Sequence, residues 1–101
     1  SSAASNVYKR QLLDSERETE IIKSLGQYPK IIERAANNYE PHLICYFLRE
    51  LSASFHGYYN NEKFLIEDEE LMKSRLFLLK GIKQVIQNGL RVLGQRAPEE
   101  M

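Results

Sequence analysis

The chain has no tryptophan, one cysteine, two histidines, two methionines and three prolines in 101 residues. Each scarcity removes a class of protein. A single thiol, Cys45, allows no internal disulfide, and its place between Ile44 and Tyr46 in a helical pattern makes it a packed thiol. His42 and His56 have no cysteine or carboxylate at metal-ligand spacing, so no metal site is expected. No apolar run approaches the ~20 residues that span a bilayer. The opening Ser1-Ser2-Ala3-Ala4-Ser5-Asn6 lacks the basic and apolar regions of a secretion signal. Residues 1–13 read instead as an appended scar, a linker or a frayed N-terminal segment. There is no glycine-rich phosphate loop and no nucleophile elbow, so no catalytic residue is nominated.

Excess charge is missing too. Fourteen lysines and arginines balance fourteen acids, and a neutral total offers no global field to draw a polyanion. The distribution is uneven, however. Residues 14–20 carry Asp14, Glu16, Glu18 and Glu20 against Arg17. Residues 62–70 carry Glu62, Glu67, Asp68, Glu69 and Glu70 against Lys63. Residues 71–98 hold Lys73, Arg75, Lys80, Lys83, Arg91 and Arg96 with no acid at all. The last helix is therefore basic.

What is present is helical periodicity. Four segments stand out. The first runs from about Ser15, a plausible N-cap, to Leu25, with Gly26 as its stop. The second runs from Pro29 to Asn38, proline suiting a first helical position. The third runs from Pro41 to Asn60, its apolar face formed by Ile44, Phe47, Leu48, Leu51, Phe55, Tyr58 and Tyr59. The fourth runs from Glu69 to Leu93, capped by Asp68 and stopped by Gly94. No segment alternates with period two. The fold expected is all-α, a bundle of about four to five helices filling residues 14–101.

On the fourth helix, Met72, Leu76, Leu79, Ile82, Ile86, Leu90 and Leu93 share one side. Leu71, Leu78, Val85 and Val92 widen it past half the circumference. That predicts a broadly buried, central helix. Arg75 falls inside the apolar arc and demands a structural ion pair, for which Glu50 is one helix-borne candidate. Opposite runs a polar stripe of Lys73, Lys80, Gln84, Gln87 and Arg91. Lysine, glutamine and arginine in line can track a phosphate backbone, and they equally make an ordinary solvated face. The cluster Phe55-His56-Gly57-Tyr58-Tyr59-Asn60-Asn61 puts aromatics beside amides at a helix end. Single-stranded RNA is read by that combination, and a core cluster followed by an Asn-Asn turn has the same composition. Tyr58 and Tyr59 project about 100° apart, so one of them is expected at the surface.

Several spaced motifs resemble the C-terminal region of arginyl-tRNA synthetases. Tyr28-Pro29-Lys30-Ile31-Ile32 is similar to that family's aromatic-Pro-x-Val-Val opening of a helix. Ala35-Ala36, Glu40-Pro41-His42, Tyr46, Leu48 and Leu51 resemble the series that follows. Phe55-His56-Gly57-Tyr58-Tyr59-Asn60 resembles a segment ending Phe-Tyr-Asn. Arg75-Leu76-Phe77-Leu78-Leu79, the stretch from Gln84 to Gly94, and the ending Ala97-Pro98-Glu99-Glu100-Met101 complete the likeness over about residues 15–101. Two departures stand out. Glu100 replaces the arginine usual before the last methionine. The opening helix with an Asn-x-x-Pro-Tyr-x-Gln-Tyr-Ala-x-Ala-Arg pattern is missing, which makes the chain read as a truncation with an exposed apolar groove prone to self-association. Leu71-Met72-Lys73-Ser74-Arg75 is similar to the lysine-rich signature loop of class I synthetases, but it lies within a periodic helix and is read as chance.

The resemblance implies a DALR anticodon-binding domain of a class Ia aminoacyl-tRNA synthetase, cytoplasmic, whose partner is the anticodon loop of arginine tRNA. It implies that Tyr59 and Met101 meet the anticodon loop. Asn60, Lys80, Lys83, Gln87 and Arg91 are the accompanying candidates. The chain itself would need no cofactor and hold no catalytic site. A parent arginine–tRNA ligase would use ATP with magnesium in a separate catalytic domain, on which this domain docks.

Overall fold

The computed structural model describes residues 15–64 and 66–96. Within them lie three helices: α1, Glu16–Asn37; α2, His42–Asn61; and α3, Glu69–Arg96. The architecture is all-helical, as expected, but three helices stand among the described residues rather than four or five.

The difference lies in α1, which runs unbroken through Gly26 and Pro29. Proline inside a helix loses one backbone hydrogen bond and costs about 3 kcal/mol. The apolar side chains explain why the helix continues. Ile21, Leu25, Tyr28, Ile32 and Ala35 follow alternating four- and three-residue steps straight across the proline. Tyr28, immediately before it, is buried, packs on the Phe47 ring at 5.5 Å and donates a hydrogen bond to Asn88 Oδ1. Both halves of the stripe are thus held against the other two helices, and packing outweighs the lost bond. Gly26 and Gly94 were expected as stops, yet both stay in the right-handed helical region and α3 continues to Arg96. Glycine permits a left-handed turn without imposing one.

Genuine ends carry their own chemistry. Ser15 and Glu18 form a capping box: the Ser15 hydroxyl accepts from the Glu18 N–H, and Glu18 Oε1 accepts from the Ser15 N–H. Asp68 Oδ1 accepts from the Leu71 N–H at the start of α3. At the end of α1, Tyr39 adopts a left-handed φ of 54° while the Glu40 N–H reaches back to Ala35 O. Glycine usually occupies that position. Tyr39 is 81% exposed, so little packing holds it there. Tyr39→Gly should therefore raise stability by roughly 0.5–1 kcal/mol, measured as a higher melting temperature. An unchanged or lower value would show that the Tyr39 ring contributes more than its conformation costs.

The helices run up, down and up, with two apolar clusters along their length. Ile21, Leu51, Tyr58, Leu78 and Ile82 form one, at the α1 start and α2 end. Ala35, Ile44 and Leu48, with Val92 and Leu93 packed on them, form the other. Cys45, expected to be packed, is exposed. The buried register of α2 is Ile44, Leu48, Leu51 and Tyr58, which turns the thiol outward. The last helix is not central either. It buries Ser74, Leu78, Ile82 and Gly89, whereas Leu76, Phe77 and Leu90 are exposed. Two neighbouring helices can cover only one side of a third, so a wide apolar arc is left partly uncovered.

Candidate nucleic-acid interface

Tyr58 and Tyr59 take opposite roles. Tyr58 has 0% of its surface exposed and Tyr59 has 59%. Tyr58 is held by an ionic brace that crosses all three helices. Its hydroxyl donates to Glu18 Oε2 at 2.6 Å, and Arg75 Nε donates to the same oxygen at 2.8 Å. Arg75 also donates to Lys63 O and lies 3.3 Å from Glu62 Oε2. The ion pair expected of Arg75 thus exists, but with Glu18 and Glu62. Glu50, on the exposed side of α2, is not its partner. Burial pushes the Glu18 carboxyl up, yet the hydrogen bonds from Tyr58, Arg75 and Ser15 outweigh it and hold the group below its ordinary value. Burial, and then the bond to Glu18, push the Tyr58 phenol far above its ordinary range. Burial alone would lower Arg75, but Glu18 and Glu62 raise it. The brace is therefore a fixed carboxylate–guanidinium pair with a neutral phenol.

Locking Tyr58 inward sends the next residue outward. The Tyr59 ring stacks on Phe64 at 5.6 Å and 26°, and lies 5.8 Å from Phe55. Phe64 also meets Tyr58 edge-on, so the loop after α2 closes over the aromatic cluster. Asn60 is exposed beside Tyr59, and Asn61 Nδ2 donates to Gly57 O, which tightens the end of α2. His56 lies against Phe55, while His42 lies against Tyr46 and near Glu40.

Phe55 leads into an apolar groove of about 350 Å³ between α2 and α3, lined also by Leu79, Ile82 and Ile86, with Lys83 and Gln87 at its edge. Tyr59, Phe55, Lys83 and Gln87 therefore share one side of the molecule. Lys80 is exposed on the outer face of α3, and Arg91 lies further along it, toward the end that packs on the α1–α2 turn. Met101, the other residue implicated by resemblance, lies outside the described residues, as do residues 1–14. Of the two Tyr59 stacking partners, Phe55 belongs to the aromatic cluster read from the sequence; Phe64 does not, and nothing in the sequence of the loop indicates where it folds back.

A family model described as the DALR anticodon binding domain matches residues 1–101. The chain belongs to that family. The chain is 51% identical over 90 residues to an arginine–tRNA ligase of Coxiella burnetii (strain CbuK_Q154), covering 89% of this chain and 15% of the relative. It is 54% identical over 89 residues to the arginine–tRNA ligase of Acinetobacter baylyi, covering 88% and 15%. With that of Acinetobacter baumannii (strain AYE) the identity is 49% over 100 residues, covering 99% and 16%. The chain thus spans about one-seventh of the length of these curated relatives. No solved structure matches it.

Proposed function

We propose that the chain recognises the anticodon loop of arginine tRNA as part of an arginine–tRNA ligase, without catalysing a reaction itself. The observation that carries this reading is the family match over all 101 residues. The geometry supports it. Tyr59 offers an exposed ring on a rigid aromatic base, where an unpaired nucleobase stacks favourably, with the Asn60 amide alongside to read base edges. Lys83 and Gln87 flank the adjoining groove, and Lys80 and Arg91 extend along α3 toward phosphates. Met101 is proposed as a further contact on resemblance alone. ATP and magnesium belong, on this reading, to the catalytic domain in the remainder of the ligase, and the site of action is the cytoplasm. Among the described residues no helix is long and apolar enough to cross a membrane.

Binding of the folded chain to an arginine tRNA transcript should be weak and should fall steeply with salt. Tyr59→Ala should weaken it by about 1–3 kcal/mol, and Tyr59→Phe should leave most of it, because stacking needs the ring and not the hydroxyl. Fluorescence anisotropy titrations decide the point. Equal affinity of wild type and Tyr59→Ala removes Tyr59 from the site. No binding by the folded wild-type chain removes the whole reading.

A second reading rests on the apolar groove of Phe55, Leu79, Ile82 and Ile86, which has the character of a docking or self-association surface. Light scattering that gives a stable dimer, with no affinity for RNA, would favour it.

A further inference from the structure

Phe77 is 75% exposed, with its ring on the solvent side of α3. An exposed phenylalanine by itself is unremarkable, but its neighbours are not. At about 100° per residue, Gln87, Lys80, Lys73, Arg91, Gln84 and Phe77 fall within an arc of roughly 80°. All six are exposed. Phe77 lies about one turn beyond Lys73 and about one turn before Lys80.

The charge on this face is of one sign. Among the described residues, Lys73, Lys80, Lys83 and Arg91 make no ion pair, in contrast to Arg75 on the inner side. Glu69 and Glu70 occupy only the first turn, where the helix dipole favours acids, and α3 then carries no carboxylate to its end. The exposed apolar residues Leu76 and Leu90 lie toward the groove, away from the Phe77 edge. Phe77 therefore lacks the apolar surround that a buried anchor of a protein interface requires. It has what a strand of nucleic acid requires: an open aromatic face between cations.

Building on the RNA reading above, we infer that the outer face of α3 carries a second base-stacking contact, centred on Phe77. One unpaired base stacks on Phe77, and the phosphates on either side of it lie on Lys73 and Lys80. Gln84 and Arg91 continue the track for about 27 Å along the helix, measured from Lys73. The ligand is a single-stranded segment, because within a duplex the base faces are covered by stacking on one another. The stacking residue is distinct from Tyr59, which lies toward the groove-side flank of α3 together with Phe55 and Lys83, while Lys80 and Arg91 are shared with the phosphate track proposed above.

The experiment is a set of anisotropy titrations of the whole chain with an arginine tRNA transcript at several salt concentrations. Phe77→Ala should weaken binding by about 5- to 150-fold, the range expected for loss of one stacked base. Phe77→Trp should bind at least as tightly as wild type. Phe77→Leu should behave like alanine, since it keeps the apolar bulk and loses the π face. Lys80→Gln should lower the salt slope by roughly one. All these positions are exposed, and circular dichroism checks that helicity is unchanged. The inference is overturned if Phe77→Ala titrates like wild type or if Phe77→Leu retains full affinity. If that happens while Tyr59→Ala still weakens binding, only the second contact fails. If the folded wild-type chain shows no salt-dependent binding, this inference and the anticodon reading fall together.

Discussion

Glu18→Gln is expected to cost about 3 kcal/mol and to blunt the response of the fold to acid. The carboxylate has no exposed side-chain surface and serves three groups: the Ser15 N–H through the capping box, the Tyr58 hydroxyl, and Arg75. Glutamine is the same size but neutral. It would leave the guanidinium, itself only 12% exposed, with Glu62 as its one remaining anion. Removing one member of a buried pair typically costs 3–5 kcal/mol, and the surviving contacts with Glu62 and Lys63 O place this case at the lower end. A chain of this size loses about 4–8 °C of melting temperature per kcal/mol, so the midpoint should drop by more than 10 °C. The pH dependence follows from the direction of the shift. The folded carboxyl titrates below its ordinary value. Its contribution is therefore complete at neutral pH and down to that ordinary value, and it is lost as pH falls through the lower, folded value. Wild type should lose stability in that acid range more steeply than Glu18→Gln. Thermal melts of both proteins at neutral and acid pH make the comparison. Parallel curves would show that Glu18 is not held ionised by the brace.

Gly89→Leu should be at least as damaging, through packing instead of charge. Gly89 is buried where α3 crosses α2. A β-carbon placed there would lie 2.8 Å from both Leu48 methyl carbons and 3.2 Å from its Cγ. Real carbons do not approach so closely, and Leu48 is itself buried beside Ala35 and Ile44. Even alanine must displace that side chain, although it gains up to about 1 kcal/mol in helix propensity. Leucine cannot be accommodated without prising the two helices apart. Overpacking of this kind costs about 1–3 kcal/mol, and occasionally more; loss of the adjoining Val92 and Leu93 contacts places it at the upper limit. The double variant Gly89→Leu with Leu48→Ala returns most of the missing volume. It should be more stable than the sum of the two single changes predicts. Simple additivity in urea melts would mean that Leu48 is not what fills the space over Gly89.

The elements that could be read from the sequence are those whose cause is local. Ser15 with Glu18, and Asp68 before α3, cap their helices through side chains three residues away, so the spacing itself signals the cap. Arg75 announced an ion pair because a lone cation in an apolar arc cannot remain unpaired. Its partner Glu18 is far away in sequence, and nothing local connects the two. The break proposed at Gly26 and Pro29 shows the converse. Local propensity favours a stop, and the apolar stripe from Ile21 to Ala35 overrides it because both halves pack against α2 and α3. Cys45 and the breadth of the buried arc on α3 differ from expectation for a related reason. Periodicity shows which residues share a face, but not how much of that face neighbours cover.

The sequence alone therefore determined an all-helical fold, the side-chain caps at Ser15 and Asp68, a basic last helix with no acid beyond its first turn, the need for an ion pair at Arg75, and the exposure of one tyrosine of the Tyr58–Tyr59 pair. These follow from helical geometry and from the cost of burying unpaired charge. Only the tertiary structure decided that Tyr58 is the inner one. It also decided that Glu18 holds it there, that Phe64 folds back under Tyr59, and that Phe77 stands in the open among cations. Each of these depends on which surfaces of three helices meet, a property of their mutual packing that no single helix encodes.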